Sequence, residues 1–458
     1  MKKIILSLSV LFALGAQAQT AAPFKEGDRV AFLGNSITEA GFYENYIWLY
    51  YMTHFPERRI EVMNVGIGGD NAEKMNIRFE GDALRTKPTV LVLTFGMNDS
   101  GYYEFLKDDA KATAKQRVAA SLKAFQEMQA KFKANPQIRP IIMAGSPFDY
   151  TAKLESNVFP GKKETFDEIV AFQYAAAKEN KWDYVDLYHP MLELTQREQK
   201  KDPSYTITGS DRIHPGKPGH LVMAATFLKD QGLAGLPVAD VAIDASKKKV
   251  GKSINATTTI IDASKKGVKF EYEAKSLPFP IDSTSTMWGN DHKQHEALAV
   301  YPFLKEFDSE TLKVENLNKG RYELRIDGQK VTTVTSESLA AGINMAILPT
   351  PQYKQARDIM NFNDLRAETE NKLRIYYWMQ FIYLRDKGLL FDDSQKAADV
   401  VAKEKEGWVP GRAGVYQTLR SPEVRKMYED DLKRLADIIY TLNKPKKHIV
   451  ELVFVGEK

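Results

Sequence analysis

From Asp28 to about Asp230, short apolar runs rich in Val, Ile and aromatic residues alternate with longer stretches of mixed polarity. The runs Arg29–Leu33, Ile60–Val65, Val90–Phe95, Pro140–Ala144 and Trp182–Val185 read as strands. Helical periodicity lies between them, most clearly over Lys111–Lys133, where Val118, Leu122, Phe125, Met128 and Phe132 recur every three or four residues. This order predicts an α/β unit, a parallel sheet with helices on both faces. In such a sheet functional residues gather on loops at the carboxyl ends of the strands.

The pattern changes after the Gly/Pro-rich stretch Gly232–Pro237 and the lysine cluster Lys247–Lys249. A linker over 233–248 is expected to separate a first domain, 19–232, from a second, 249–458. Asn255–Glu273 reads as two strands around Lys265-Lys266-Gly267, and Leu312–Ser336 as further strands turning at Asn318-Lys319-Gly320 and Asp327-Gly328. Tyr353–Lys387 and Pro422–Leu442 are helical in pattern, and Ile449–Val455 is a last strand. The expectation is a mixed β-sandwich-like module with a helical insertion.

Before all this, Lys2 and Lys3 precede an apolar run that ends in Ala16-Gln17-Ala18. That is the order of a secretory signal, 1–18, cleaved after Ala18, and the run Ile4–Leu14 is too short to span a bilayer. An exported, periplasmic or extracellular protein without membrane insertion is expected. Zero cysteines exclude disulfides, thiolate metal sites and a cysteine nucleophile. The 64 Lys and Arg nearly cancel the 60 Asp and Glu, giving a net charge of +4, or +2 once Lys2 and Lys3 are gone. With no basic track, nucleic acid is not an expected partner. The sequence carries no signature of oligomeric state.

The candidate chemistry sits at strand ends. Gly34-Asn35-Ser36 closes the first strand, Gly66-Ile67-Gly68-Gly69-Asp70 the second and Gly96-Met97-Asn98-Asp99 the third, with Asp211-Arg212-Ile213-His214 far downstream. Each is weak alone, since serine, asparagine and Gly-Gly-Asp are common at caps and turns. In this order they resemble the SGNH subgroup of the GDSL esterase/lipase family over roughly Asp28–Leu228. The resemblance implies a flavodoxin-like three-layer hydrolase fold and hydrolysis of acyl esters without a metal or cofactor. It implies Ser36 as nucleophile, His214 as base, Asp211 as its carboxylate partner, and the N–H groups of Ser36 and Gly69 with the Asn98 amide as an oxyanion hole. Gly-Asn-Ser stands where Gly-Asp-Ser is commoner, and Gly68 beside Gly69 leaves the donor glycine open by one position. Asn35, Asp70, Trp48 and Trp288 are candidate substrate contacts.

Asp186-Leu187-Tyr188-His189-Pro190 repeats the Asp-to-His spacing but directly continues an apolar strand, so the later pair is preferred. The stripe Tyr43, Tyr46, Ile47, Tyr50 reads as core. His292 and His295 have no third ligand, so no metal is expected. The leading functional expectation is an exported esterase removing acetyl groups from a polysaccharide or oligosaccharide. A lipase, lysophospholipase or thioesterase acting on longer acyl chains is the second, and a non-catalytic glycan-binding protein on a hydrolase fold the third.

Overall fold

The computed structural model describes residues 20–457 apart from 108 and 288, so the expected signal over 1–18 and candidate contact Trp288 lie outside the described residues. Five strands, β1 (Arg29–Gly34), β2 (Glu61–Gly66), β3 (Val90–Leu93), β4 (Arg139–Ala144) and β5 (Asp183–Asp186), form a parallel sheet in the order β2-β1-β3-β4-β5. Helices on both faces explain why β3 is buried at every position and reads as a continuous apolar run. The helices are α1 (Ser36–Glu39), α2 (Tyr43–His54), α3 (Ala72–Ile77), α4 (Ala110–Ala134), α5 (Lys162–Asn180), α6 (Tyr188–Gln199) and α7 (Lys217–Asp230). The stripe on α2 is core, with Tyr43, Ile47 and Tyr50 fully buried.

The stretch 233–248 is not a free linker. It contains β6 (Ala239–Asp244), whose alternate residues are buried and which pairs in parallel with β10 (Glu310–Glu315). Burial of Val241 and Ile243 ties this segment into the second module, and only a short joint precedes it. The module adds β7 (Lys249–Ile254), β8 (Ala256–Ser264), β9 (Gly267–Ala274), β11 (Arg321–Ile326), β12 (Gln329–Thr335), β13 (Ile343–Asn344) and β14 (His448–Gly456), with short helices α8 (Phe303–Phe307) and α9 (Ser336–Ala341). Its sheets run β13-β10-β6-β7 and β12-β11-β14-β9-β8 around one core that includes Phe270, Leu312, Leu324 and Val450.

Between β13 and β14 lie α10 (Pro351–Trp378), α11 (Gln395–Lys403), α12 (Val409–Leu419) and α13 (Pro422–Leu442). These helices do not merely decorate the β module. Ala356, Ile359, Ala436, Ile439 and Tyr440 enter the core of the first domain, and Tyr376, Phe381, Leu384, Val401 and Tyr416 build a third core that also takes in Ile67. The insertion therefore braces the loop after β2, one of the loops that carry the candidate chemistry.

Candidate active site

The geometry starts where β1 ends. Asn35 is extended and its side chain accepts the Ile37 N–H at 3.0 Å, capping α1 and setting Ser36 at the first helical position. The Ser36 N–H there has no partner inside the helix. Ser36 Oγ lies 2.8 Å from His214 Nε2, and His214 Nδ1 lies 2.6 Å from Asp211 Oδ2. An ionised Asp211 only accepts, so Nδ1 carries the proton and Nε2 is free to accept from the serine hydroxyl. Burial pushes the Asp211 carboxyl up. Hydrogen bonds from the His214 ring, the His214 N–H and the Ile213 N–H outweigh it and hold the carboxyl below its usual range.

That carboxylate and its histidine sit on one closed turn. Gly209 N–H donates to the His214 carbonyl at 2.7 Å, Arg212 N–H donates to the Gly209 carbonyl at 2.8 Å, and Thr208 bridges Pro215. Arg212 takes a left-handed φ of 68° and sends its buried guanidinium away from the site, into the carbonyls of Asp149, Ala152, Leu154 and Ser156. Four such bonds lock the turn so that Asp211 and His214 face Ser36.

The choice between the two glycines has a physical answer. Gly68 N–H donates to Glu39 Oε2 at 3.0 Å, whereas Gly69 is exposed at φ +79°, a conformation that favours glycine. Gly66 is just as constrained, because a Cβ there would drive into the Glu39 backbone N. Asn98 Nδ2 donates to the Asp70 carbonyl at 2.7 Å and Asn98 Oδ1 accepts the Tyr102 hydroxyl at 2.8 Å. This pair of bonds fixes which way the amide faces and leaves one N–H hydrogen for an oxyanion. Buried Lys162 ties the same loop down by donating to the Met97 carbonyl (2.6 Å), Ser100 Oγ (2.7 Å) and the Gly101 carbonyl (2.8 Å).

Three candidate substrate contacts turn out to be structural. Asn35 is spent on the cap. Asp70 is fully buried and takes Arg78 Nε at 2.6 Å, with only its main chain near the site. Trp48 is buried on α2, where its indole N–H donates to the Tyr440 hydroxyl at 3.1 Å and Arg366 lies 4.3 Å over its ring. Helical periodicity had left Trp48 outside the α2 stripe, but α10 and α13 cover that second face. His189 does pair with Asp186, at 2.7 Å, yet it opens α6 beside Tyr174 and Asp230 rather than facing Ser36. Glu39, Tyr102 and Lys162 were absent from the sequence expectation, and Arg212 stood in it only as a member of the Asp211–His214 run. Lys162 acts on carbonyls some sixty residues earlier, so no local pattern marks it.

Serine, imidazole and carboxylate in sequence at 2.8 and 2.6 Å, at the carboxyl edge of a parallel sheet, define a serine hydrolase. Residues 32–222 match the GDSL-like Lipase/Acylhydrolase family, and residues 357–444 match the family described as Diltiazem deacetylase C-terminal helical domain. A solved gut microbial diltiazem-metabolizing enzyme is 44% identical, with a TM-score of 0.93, over 96% of this chain and 100% of its own. The acetylxylan esterase of Geobacillus stearothermophilus is 25% identical over 45% of this chain and 94% of its own length. The chain belongs to the GDSL-like lipase/acylhydrolase family and is an SGNH-type serine esterase.

Proposed function

We propose that the protein is an exported acetylesterase that removes O-acetyl groups from oligosaccharides or polysaccharides through Ser36, His214 and Asp211. The observation that carries the chemistry is the relay from Ser36 Oγ through His214 to Asp211, at 2.8 and 2.6 Å. As Ser36 attacks the ester carbonyl, His214 Nε2 takes the hydroxyl proton and then delivers it to the departing alcohol. Asp211 holds the tautomer and steadies the imidazolium. The N–H groups of Ser36 and Gly69 and the Asn98 amide receive the charge on the tetrahedral oxygen. Water then repeats the sequence on the acetyl-enzyme, releasing acetate.

An acetyl group as the acyl part is supported by the acetylxylan esterase relative. The acetylxylan esterase relative supports a sugar as the alcohol. A second reading, an acetylated aromatic small molecule, is supported by the full-length likeness to the diltiazem-metabolizing enzyme.

The test is acetate release from acetylated xylan, acetylated xylooligosaccharides and diltiazem, beside aryl esters of rising chain length, with Ser36→Ala, His214→Ala and His189→Ala as variants. Ser36→Ala and His214→Ala are expected to lose at least about 10⁴-fold in turnover, and His189→Ala to keep it. Preference for long acyl chains would overturn the acetylesterase reading, and loss of activity in His189→Ala alone would overturn the assignment of the base. Sequencing the amino terminus of the exported protein checks cleavage after Ala18.

A further inference from the structure

One helical turn beyond Ser36, the wall of the site passes to the helical insertion. A cavity of about 390 Å³ opens between Glu39 and the start of α12, lined also by Asn371, Ile375, Trp408 and Arg412. Its volume lies within the range of small-molecule sites. Glu39, on the same short helix as Ser36, links it to the catalytic centre. Glu39 Oε2 holds the Gly68 N–H at 3.0 Å, and the position of a Cβ on Gly68 lies 3.9 Å from Ser36 Cβ. Glu39 is thus shared between the cavity wall and the loop that carries Gly68 and Gly69.

The lining has a distinct chemistry. Trp408 is 64% exposed, a large area for an indole to leave to water. Arg412 lies with its guanidinium carbon 4.4 Å over the Trp378 ring and 5.6 Å from the Trp408 ring, so the platform and the cation are held together. Arg412 lines the cavity with its side chain 21% exposed, while its buried Nε makes no hydrogen bond among the described residues. Glu39 Oε1 stands 3.7 Å from the same guanidinium. Cation and carboxylate thus offset one another, and the cavity presents donors and acceptors with little net charge. A fatty acyl chain would strand these polar groups without partners, and a carboxylated ligand would meet Glu39. A neutral ring with an apolar face and a rim of hydroxyls satisfies all of them.

Resting on the acetylesterase reading, we propose that this cavity is the subsite for a pyranose ring of the substrate. Trp408 is its stacking platform, Asn371 and Arg412 donate to ring hydroxyls and Glu39 accepts from one. The helical insertion is then a specificity element, supplying the half of the substrate site that the hydrolase domain lacks.

Two variants test this in the full chain. Trp408→Ala removes the platform. Gly411→Leu fills the cavity from α12, at a position where an added Cβ meets nothing within 4 Å and where φ is ordinary for a helix, so the fold tolerates it. Both are read as kcat/KM for an acetylated xylooligosaccharide divided by kcat/KM for 4-nitrophenyl acetate, with the deacetylated oligosaccharide as competitive inhibitor of aryl ester turnover. The ratio is expected to fall about tenfold in each variant, mainly through KM, and the inhibition constant to rise in step. If wild type hydrolyses the aryl ester but releases no acetate from any acetylated saccharide, the sugar-esterase reading fails and takes this subsite with it. If wild type deacetylates the oligosaccharide and neither variant changes the ratio, the reading stands and the subsite is refuted.

Discussion

Arg374 is the residue through which the helical insertion grips the catalytic domain. From α10 it donates from Nη1 to Asp82 Oδ1 and from Nη2 to Asp82 Oδ2, both at 2.7 Å, and from Nε to the Gly66 carbonyl at 3.2 Å. Arg78 completes the cluster, reaching Asp82 and Asp70 at 2.6 Å and the Gly34 carbonyl at 3.1 Å. Two arginines and two aspartates, none with a side chain more than 3% exposed, sum to zero charge beneath the Ser36 and Gly69 loops. Burial pushes the Asp82 carboxyl up, but Arg374 and then Arg78 outweigh it and bring it from 3.8 to about 2. That fall is worth roughly 2–3 kcal/mol of preference for the ionised form. Arg374→Met keeps the aliphatic volume, leaves the cluster with a net negative charge and strips the Gly66 carbonyl of a donor. Removing one partner of a buried pair costs about 3–5 kcal/mol. Urea unfolding followed by tryptophan fluorescence reads this loss, and aryl acetate turnover reads the slackening of the Gly66–Gly69 loop. Adding Asp82→Asn should recover part of the stability by discharging the site, because Arg78 keeps Asp70. The sign with pH is set by a depressed carboxyl: its contribution is present above 3.8 and is lost as pH falls towards 2. A loss under about 1 kcal/mol in Arg374→Met, or a double variant less stable than the single by as much again, would refute the reasoning.

The other expectations are narrower. Asn98→Ala should cost about 10²–10³ in kcat with little change in KM, and Tyr102→Phe, which only frees the amide to turn, should cost less; the reverse order in steady-state assays would show that Asn98 is not a donor to the oxyanion. His54 and His220 are fully buried, and desolvation holds both imidazoles down at about 3. A histidine that must charge on unfolding withdraws stability as pH falls below about 6.5, by up to roughly 1.4 kcal/mol per pH unit for each. His220, stacked 6.0 Å from Tyr43 with neither ring nitrogen bonded among the described residues, is the better probe: His220→Phe should flatten the fall in Tm between pH 6.5 and 4.5. Trp48→Ala should lower stability by about 3–5 kcal/mol while leaving KM for acetylated oligosaccharide near wild type, and a KM effect at unchanged stability would return Trp48 to the substrate site.

The central strands of the first domain were legible because they are short apolar runs buried on both faces, a pattern that solvent exclusion imposes residue by residue. Ser36, Gly69, Asn98, Asp211 and His214 were named through the resemblance that their order along the chain carries, and the fold brings Ser36, His214 and Asp211 into contact. Ser36, Gly69 and Asn98 follow strand ends, where a parallel sheet exposes such groups, and Asp211 and His214 sit on the turn before α7. Spacing alone could not separate Asp186–His189 from Asp211–His214, since both pairs form their 2.7 and 2.6 Å contacts. Only the folded chain decides which imidazole meets the serine. Nor could a string of letters show that Asn35 and Asp70 point inward although they adjoin the reactive positions, because neighbouring side chains leave the backbone in opposite directions. The insertion was the least readable part: α10 to α13 have clear helical periodicity, yet the surface they cover lies some three hundred residues earlier in the chain. Period determined which elements exist, and the order of the motifs, through the resemblance it carries, which groups were candidates to react. Long-range burial alone decided that Trp48 is core, that Arg374 anchors Asp82, and that Trp408 and Arg412 stand beside Glu39, since those outcomes depend on which distant surfaces exclude water together.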